Sequence, residues 1–119
     1  MELIDLFDRI MILNLPNRSD RRAELRRDLM RIGWDPDDAR ITWFPAIDPR
    51  TAVGFSSPGM RGCFLSHTAA LNLARNAGHH RVLVLEDDCD FAPDFLERQA
   101  QLANWLASCV WGIAYLGHN

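Results

Sequence analysis

The sequence feature that most constrains the fold is an apolar run that ends in a cluster of carboxylates. Val82–Leu85 is uninterrupted, and Glu86, Asp87, Asp88 and Asp90 follow within five positions. A short unbroken run of Val and Leu is typical of a strand buried on both faces. Ligands of open α/β sheets bind beyond the carboxyl ends of such strands. The sequence therefore predicts a buried strand that delivers four carboxylates to a ligand site.

Two interpretations of the carboxylate cluster remain open from the residues alone. Neighbouring carboxylates repel one another unless positive charge neutralises them. A hard divalent cation, which prefers oxygen ligands, would supply that charge. The alternative is an acidic turn in water, in which one Asp caps the next helix.

Strand and helix patterns alternate along the rest of the chain. We predict strands at 10–15, 41–44, 82–85 and 110–116, and helices from about 20 to 32, 61 to 77 and 94 to 107. This βαβαβαβ order predicts an α/β fold with a mostly parallel sheet and helices on both faces. Residues 1–119 are long enough for a single domain with its own core. Because the last predicted strand nearly ends the chain, we expect an incomplete domain.

Composition excludes several classes of function. The net charge of −3 gives no attraction to nucleic acid, so no nucleic-acid partner is predicted. All 13 basic residues are arginines, which excludes chemistry that needs a lysine. The three cysteines include no Cys-x-x-Cys, so neither a zinc site nor a disulfide framework is predicted. The N-terminus lacks a basic leader and no apolar run reaches membrane-spanning length, which predicts a cytoplasmic protein.

Three arginines cluster where the first predicted strand gives way to its helix. Arg18, Arg21 and Arg22 lie at a helix N-terminus, which already favours anions. They are therefore candidates for binding a ligand phosphate. The alternative is that they pair with local carboxylates such as Asp20 and Glu24.

Cys63 and His67 are four residues apart in the second predicted helix, so their side chains face one another. As a metal pair they lack companions in the sequence. We therefore favour the interpretation that they pack together, or that His67 is simply hydrogen-bonded.

Four short sequence segments resemble the motifs of one protein family and occur in the same order. They are Asn14-Leu15-Pro16-Asn17-Arg18-Ser19-Asp20-Arg21-Arg22, Ala46-Ile47-Asp48, Gly62-Cys63-Phe64-Leu65-Ser66-His67 and Leu83-Val84-Leu85-Glu86-Asp87-Asp88. They resemble the motifs Asn-Leu-x-x-Arg-x-Asp-Arg, Ala-Ile-Asp-Gly, Gly-Cys-x-x-Ser-His and Glu-Asp-Asp of glycosyltransferase family 25. That family includes bacterial lipopolysaccharide and lipooligosaccharide galactosyltransferases and is similar to the collagen galactosyltransferases. The resemblance covers roughly residues 9–117 and is specific because the blocks keep the family's order.

The resemblance implies the N-terminal, donor-binding half of a GT-A-like fold that uses a nucleotide sugar, UDP-galactose. It implies a lipooligosaccharide or other glycan acceptor and peripheral membrane association. Mn²⁺ or Mg²⁺ would be held by Asp88 together with Glu86. The positions implied in donor binding are Asn14, Leu15, Arg18, Asp20, Arg21, Asp48, Ser66, His67, Glu86 and Asp87.

The chain departs from the family's pattern in places. Met60-Arg61 stands where the family usually has Glu-Ile, and Pro49 replaces a Gly. The general base that deprotonates an acceptor hydroxyl is expected to be a carboxylate beyond Asn119. Within the chain, His118 is the only candidate base after Tyr115. The catalytic residue is thus unknown, and this chain alone is expected to transfer little sugar. A half-domain also leaves sheet edge and apolar helix surface uncovered, which predicts a homo-oligomer.

Two alternative functions follow from the same residues. The first is a non-catalytic module that binds a nucleotide sugar. The second is a Mg²⁺-binding domain similar to a response-regulator receiver, because Val82–Asp88 also resembles the first strand and acidic pair of that fold. A receiver needs a later phospho-accepting Asp and a Lys, and this chain contains no Lys.

Overall fold

A computed structural model describes residues 1–117 of the chain. After a short 3₁₀ helix at Leu3–Leu6, the elements are β1 (Arg9–Asn14), α1 (Ser19–Arg31), β2 (Ile41–Pro45), α2 (Pro58–Asn76), β3 (Val82–Glu86) and α3 (Phe95–Ser108). The predicted α/β class is confirmed, and the architecture is compatible with part of a GT-A-like fold.

The sheet has three parallel strands in the order β2-β1-β3. Leu13 of β1 pairs with Phe44 on one side and with Glu86 on the other. The connection from β1 to β2 runs in one direction across the sheet, and the connection from β2 to β3 returns over β1. Right-handed crossovers in opposite directions place α1 and α2 on opposite faces, so helices cover both sides as predicted.

The central strand separates two hydrophobic clusters. From Ile10 to Asn14 no residue of β1 is more than 5% exposed. Successive strand residues face opposite sides of a sheet. Ile10 and Ile12 therefore pack in the cluster that includes α1 and α3, whereas Met11 and Leu13 pack with Ala70 of α2. Burial on both faces is the physical reason for the unbroken apolar run.

The helix α2 begins at Pro58, three residues before the predicted start. The hydroxyl of Ser57 accepts a hydrogen bond from the Met60 N–H at 3.1 Å, and Pro58 occupies the first turn. Both are favourable at a helix N-terminus. The loop between β2 and α2 is correspondingly shorter.

The prediction of a fourth strand at 110–116 is wrong. Within residues 1–117, no strand ladder includes this segment, and Ile113 and Tyr115 are 76% and 86% exposed. A strand needs a neighbour for its backbone N–H and C=O groups, which an apolar sequence pattern cannot supply. Instead, the Trp111 indole N–H donates to the Leu106 carbonyl at 2.8 Å and ties the segment to the end of α3. His118 lies outside the described residues.

Within residues 1–117, no helix combines the length and the apolar character that a transmembrane span requires. Peripheral membrane association stays a prediction.

Candidate functional site

An open cleft of about 220 Å³ lies at the carboxyl edge of the sheet, where β1 and β3 end. The connection after β1 runs to β2 on one side of the sheet, and the next connection returns across β1 to β3 on the other side. The cleft therefore lies at the topological switch point, where α/β sheets bind ligands. The cleft brings together eight of the predicted donor and metal ligands: Leu15, Arg21, Asp48, Ser66, His67, Glu86, Asp87 and Asp88. The other three, Asn14, Arg18 and Asp20, do not line it.

Asn14 lies beneath the cleft and is only 1% exposed. Its amide nitrogen donates to the Asp87 carboxylate at 3.0 Å and to the Arg18 carbonyl at 3.1 Å. Its amide oxygen accepts from Nε and Nη2 of Arg22 at 3.1 and 2.9 Å. The side chain thus ties β1 to α1 and to the end of β3. Direct contact of Asn14 with a donor stays a prediction.

Arg18 and Asp20 form a pair outside the cleft. Nε and Nη2 of Arg18 donate to the two carboxylate oxygens of Asp20 at 3.0 and 2.9 Å. The Arg18 hydrogen bonds are the main cause that lowers the pKa of Asp20 to about 2. The local pairing that the sequence left open is therefore present, and donor contacts from these two residues stay predictions.

Arg21 contributes positive charge to the cleft itself. Its Nη1 lies 3.3 Å from Oδ1 of Asp87 and donates a hydrogen bond to it. Arg22, which the sequence made a phosphate candidate beside Arg18 and Arg21, does not line the cleft and instead donates to the amide oxygen of Asn14. The sequence does not indicate this partner, because it is set by the packing of α1 on β1.

One stripe of α2 docks the loop that carries Asp48. The Ile47 N–H donates to the hydroxyl of Ser66 at 2.8 Å, and Ser66 is 2% exposed. A Cβ atom on Gly62 would lie 2.6 Å from the Ile47 carbonyl oxygen and 2.8 Å from Cδ of Pro49. Only glycine therefore fits at this close approach. The Gly-Cys-x-x-Ser-His block owes its Gly and Ser to loop docking.

The adjacent stripe of α2 carries Cys63 and His67, and Glu86 completes the group. The thiol of Cys63 donates to Oε1 of Glu86 at 3.4 Å, and Nε2 of His67 lies 3.7 Å from the same oxygen. Nδ1 of His67 lies 2.8 Å from the Cys63 carbonyl and 3.6 Å from its sulfur. His67 is hydrogen-bonded, as the favoured interpretation has it. The pair nevertheless has a companion, which the sequence did not indicate.

The thiols near the cleft are not activated nucleophiles. Burial, followed by the hydrogen bond to Glu86, raises the pKa of the Cys63 thiol. Burial, with a smaller contribution from the charge of Asp88, raises the pKa of Cys89 to about 12. A nucleophilic cysteine needs a lowered pKa and a neighbouring base. Since a carbonyl can only accept, the bond between Nδ1 of His67 and the Cys63 carbonyl requires a proton on Nδ1, which therefore cannot deprotonate the thiol.

The carboxylates after β3 differ in their surroundings. Arg21 and Asn14 engage Asp87, whose side chain is only 11% exposed. Glu86 and Asp88 are exposed and line the cleft, and within residues 1–117 no side-chain hydrogen bond or ion pair engages Asp88. Two carboxylates open to one cleft are a donor set that fits a hard divalent cation. Contrary to expectation, Asp90 does not line the cleft. Its carboxylate accepts a hydrogen bond from the Phe91 N–H at 2.9 Å and lies 3.9 Å from the guanidinium of Arg31.

Comparison with known proteins supports the resemblance. Putative glycosyltransferase R655 of Acanthamoeba polyphaga mimivirus is 29% identical over 109 residues, which cover 79% of this chain and 32% of the relative. Procollagen galactosyltransferase 1 of Danio rerio is 30% identical over 129 residues, 93% of this chain and 21% of the relative. Inactive glycosyltransferase 25 family member 3 of Homo sapiens is also 30% identical over 129 residues, 93% of this chain and 22% of the relative. This chain is similar to glycosyltransferase 25 family members.

The likeness to family 25 extends over most of this chain but only part of each relative. The chain spans between about a fifth and a third of the length of the relatives named above. No protein-family model matches the chain, and no solved structure does. The finer assignment to lipopolysaccharide or lipooligosaccharide synthesis stays a prediction.

Proposed function

We propose that this chain is the donor-binding half of a family 25 glycosyltransferase domain and that its cleft binds a nucleotide sugar, UDP-galactose. The observation that carries the proposal is the cleft at the switch point, which combines Arg21 with Glu86 and Asp88. A guanidinium suits phosphate oxygens, and two open carboxylates suit a cation that a diphosphate needs. The similarity to proteins named glycosyltransferases supports it.

In this proposal Asp88 and Glu86 hold Mn²⁺ or Mg²⁺. When bound, such a cation supplies positive charge that stabilises a diphosphate leaving group. Two other residues hold the groups that line the cleft in place. Asn14 fixes the carboxylate of Asp87, and Ser66 holds the loop that carries Asp48 beside the cleft. Arg21 faces the phosphates, and His67 is available to hydroxyls of the donor.

The acceptor, location and assembly are further proposals. We propose a lipooligosaccharide or other glycan acceptor, a cytoplasmic location with peripheral membrane association, and self-association. Exposed apolar side chains at Val110, Ile113 and Tyr115 support the last of these, because such surfaces favour association.

A second candidate function is a module that binds the nucleotide sugar without transferring it. The observation that favours it is the relative from Homo sapiens, which is named inactive and is as similar as the procollagen enzyme. A transfer assay with UDP-galactose distinguishes the two. The receiver-like alternative has no support, because the acidic stretch follows the third strand rather than the first.

The proposed cation site predicts that the affinity for UDP depends on a divalent metal ion. Calorimetry should show UDP binding about tenfold more tightly with Mn²⁺ than in EDTA, because the cation offsets repulsion between the diphosphate and the carboxylates. Asp88→Asn should remove this gain, and UDP binding in EDTA should be no weaker than in the unsubstituted chain, because one of the repelling carboxylates is neutralised. Equal affinity with and without Mn²⁺ in the unsubstituted chain would refute the proposed metal bridge.

Substitutions of Arg21 and Arg18 are expected to differ in their effect on UDP binding. Arg21→Ala should weaken UDP binding about tenfold, since a charge-assisted hydrogen bond contributes about 1.5–3 kcal/mol. Arg18→Ala is the matched control from the same helix end, and it should weaken binding less because Arg18 is paired with Asp20 outside the cleft. The opposite order of effects in the same titration would give the phosphate contact to Arg18.

A further inference from the structure

We propose that Cys63, His67 and Glu86 form a second metal site, one that binds a thiolate-preferring cation of the Zn²⁺ class. Their ligand atoms all lie within 4.8 Å of one another. Sulfur, imidazole nitrogen and carboxylate oxygen form a ligand set typical of Zn²⁺ and unlike the oxygen-only sets of Mg²⁺. The inference does not rest on the proposed function, because it concerns the metal alone.

The two distances to the Glu86 oxygen come close to those around a tetrahedral ion. Metal–ligand bonds of about 2.0–2.3 Å in a tetrahedron separate the ligand atoms by about 3.3–3.6 Å. The sulfur of Cys63 lies 3.4 Å from Oε1 of Glu86, and Nε2 of His67 lies 3.7 Å from that oxygen. Small rotations of exposed side chains would close the remaining difference. The cleft leaves the fourth position open to water or to another ligand.

The hydrogen bond of the imidazole supplies the second, independent argument. Nδ1 of His67 lies 2.8 Å from the Cys63 carbonyl oxygen, which can only accept, so Nδ1 carries the proton. In the neutral ring Nε2 then presents its lone pair, and this is the nitrogen nearest Glu86. Metal-binding histidines usually donate their other ring N–H to a carbonyl or carboxylate, which fixes the tautomer. The same arrangement is present here before any ion binds.

Glu86 belongs both to this site and to the proposed Mn²⁺ site. The two ions therefore compete for one carboxylate. A cation of the Zn²⁺ class at Cys63 and His67 is expected to displace Mn²⁺ from the cleft.

Cobalt substitution tests the site without any nucleotide. The metal-free 119-residue chain, titrated with Co²⁺ alone, should develop a thiolate-to-cobalt charge-transfer band in the near ultraviolet, and Zn²⁺ should bleach it. Cys63→Ser should lose the band, and Cys109→Ser should keep it, because Cys109 is half-buried and does not line the cleft. Absence of the band in the unsubstituted chain, or its survival in Cys63→Ser, would overturn the proposal.

A second variant keeps the test decisive if Cys63→Ser folds poorly. His67→Ala leaves the thiol in place and should weaken Zn²⁺ binding at least tenfold, measured by competition with a chromogenic chelator. Circular dichroism of each variant checks that the helices are retained. Unchanged Zn²⁺ affinity in a folded His67→Ala variant would equally overturn the site. Failure of UDP to bind would count only against the proposed function.

Discussion

Gly62→Ala should lower the free energy of unfolding by about 1–3 kcal/mol, the usual cost of forcing extra atoms into a packed site. The added Cβ would lie 2.6 Å from the Ile47 carbonyl oxygen, a backbone atom that cannot rotate away. Relief therefore requires the loop to move off α2, which also strains the hydrogen bond between Ile47 and Ser66. Because that loop carries Asp48, we expect weaker ligand binding as well as lower stability.

Gly59→Ala is the matched control for this substitution. Gly59 lies in the same helix and lines the same cleft, but its Cβ would come no closer than 3.8 Å to Ser57 Oγ. Alanine is also favoured over glycine in a helix by as much as about 1 kcal/mol. Urea unfolding of the two variants should separate them clearly. Equal midpoints would show that the loop is not docked through Gly62.

Asn14→Ala should lower the free energy of unfolding by about 2–3 kcal/mol, because hydrogen bonds to charged groups are the costly ones to remove. The substitution takes a donor from the carboxylate of Asp87 and an acceptor from the guanidinium of Arg22. It also frees the carboxylate of Asp87, which already lines the cleft, to turn further into it and to repel a diphosphate more strongly. We therefore expect UDP binding to weaken together with stability.

Asn17→Ala provides the comparison for Asn14→Ala. Asn17 is exposed three residues further along the chain, so the same atoms are removed from a side chain in water. Its unfolding midpoint in urea should match that of the unsubstituted chain. If both variants lose the same stability, the loss comes from the turn and not from the buried amide.

The elements that could be predicted from the sequence are those whose burial appears directly in the pattern of apolar residues. The apolar runs of β1 and β3 indicated both strands and the edge at which Glu86 and Asp88 meet, because burial on both faces demands continuous apolar residues. The segment 110–116 has an equally apolar pattern but no strand beside it among residues 1–117. An apolar pattern therefore indicates residues that favour a strand, but it does not show whether a neighbouring strand is there to pair with them.

The site contacts that the sequence did not indicate are made between residues far apart in the chain. Asn14 is a positioning group because Asp87, 73 residues later, reaches its amide. Arg21 and not Arg18 lines the cleft because of the direction in which α1 leaves β1, which no spacing rule fixes. Likewise, Glu86 joins Cys63 and His67 only through the packing of α2 beside β3.

The central position of β1 also predicts an order in which the cleft assembles during folding. Pairing with β2 is the shorter loop closure, whereas contact with the end of β3 must close a loop of 73 residues at greater entropic cost. An early intermediate made of β1, α1 and β2 would hold Arg21 but none of the carboxylates that follow β3. On this order, the ligand cleft would be completed only when β3 docks. A ligand that spans β1 and β3 is therefore expected to slow unfolding and to leave the folding rate nearly unchanged.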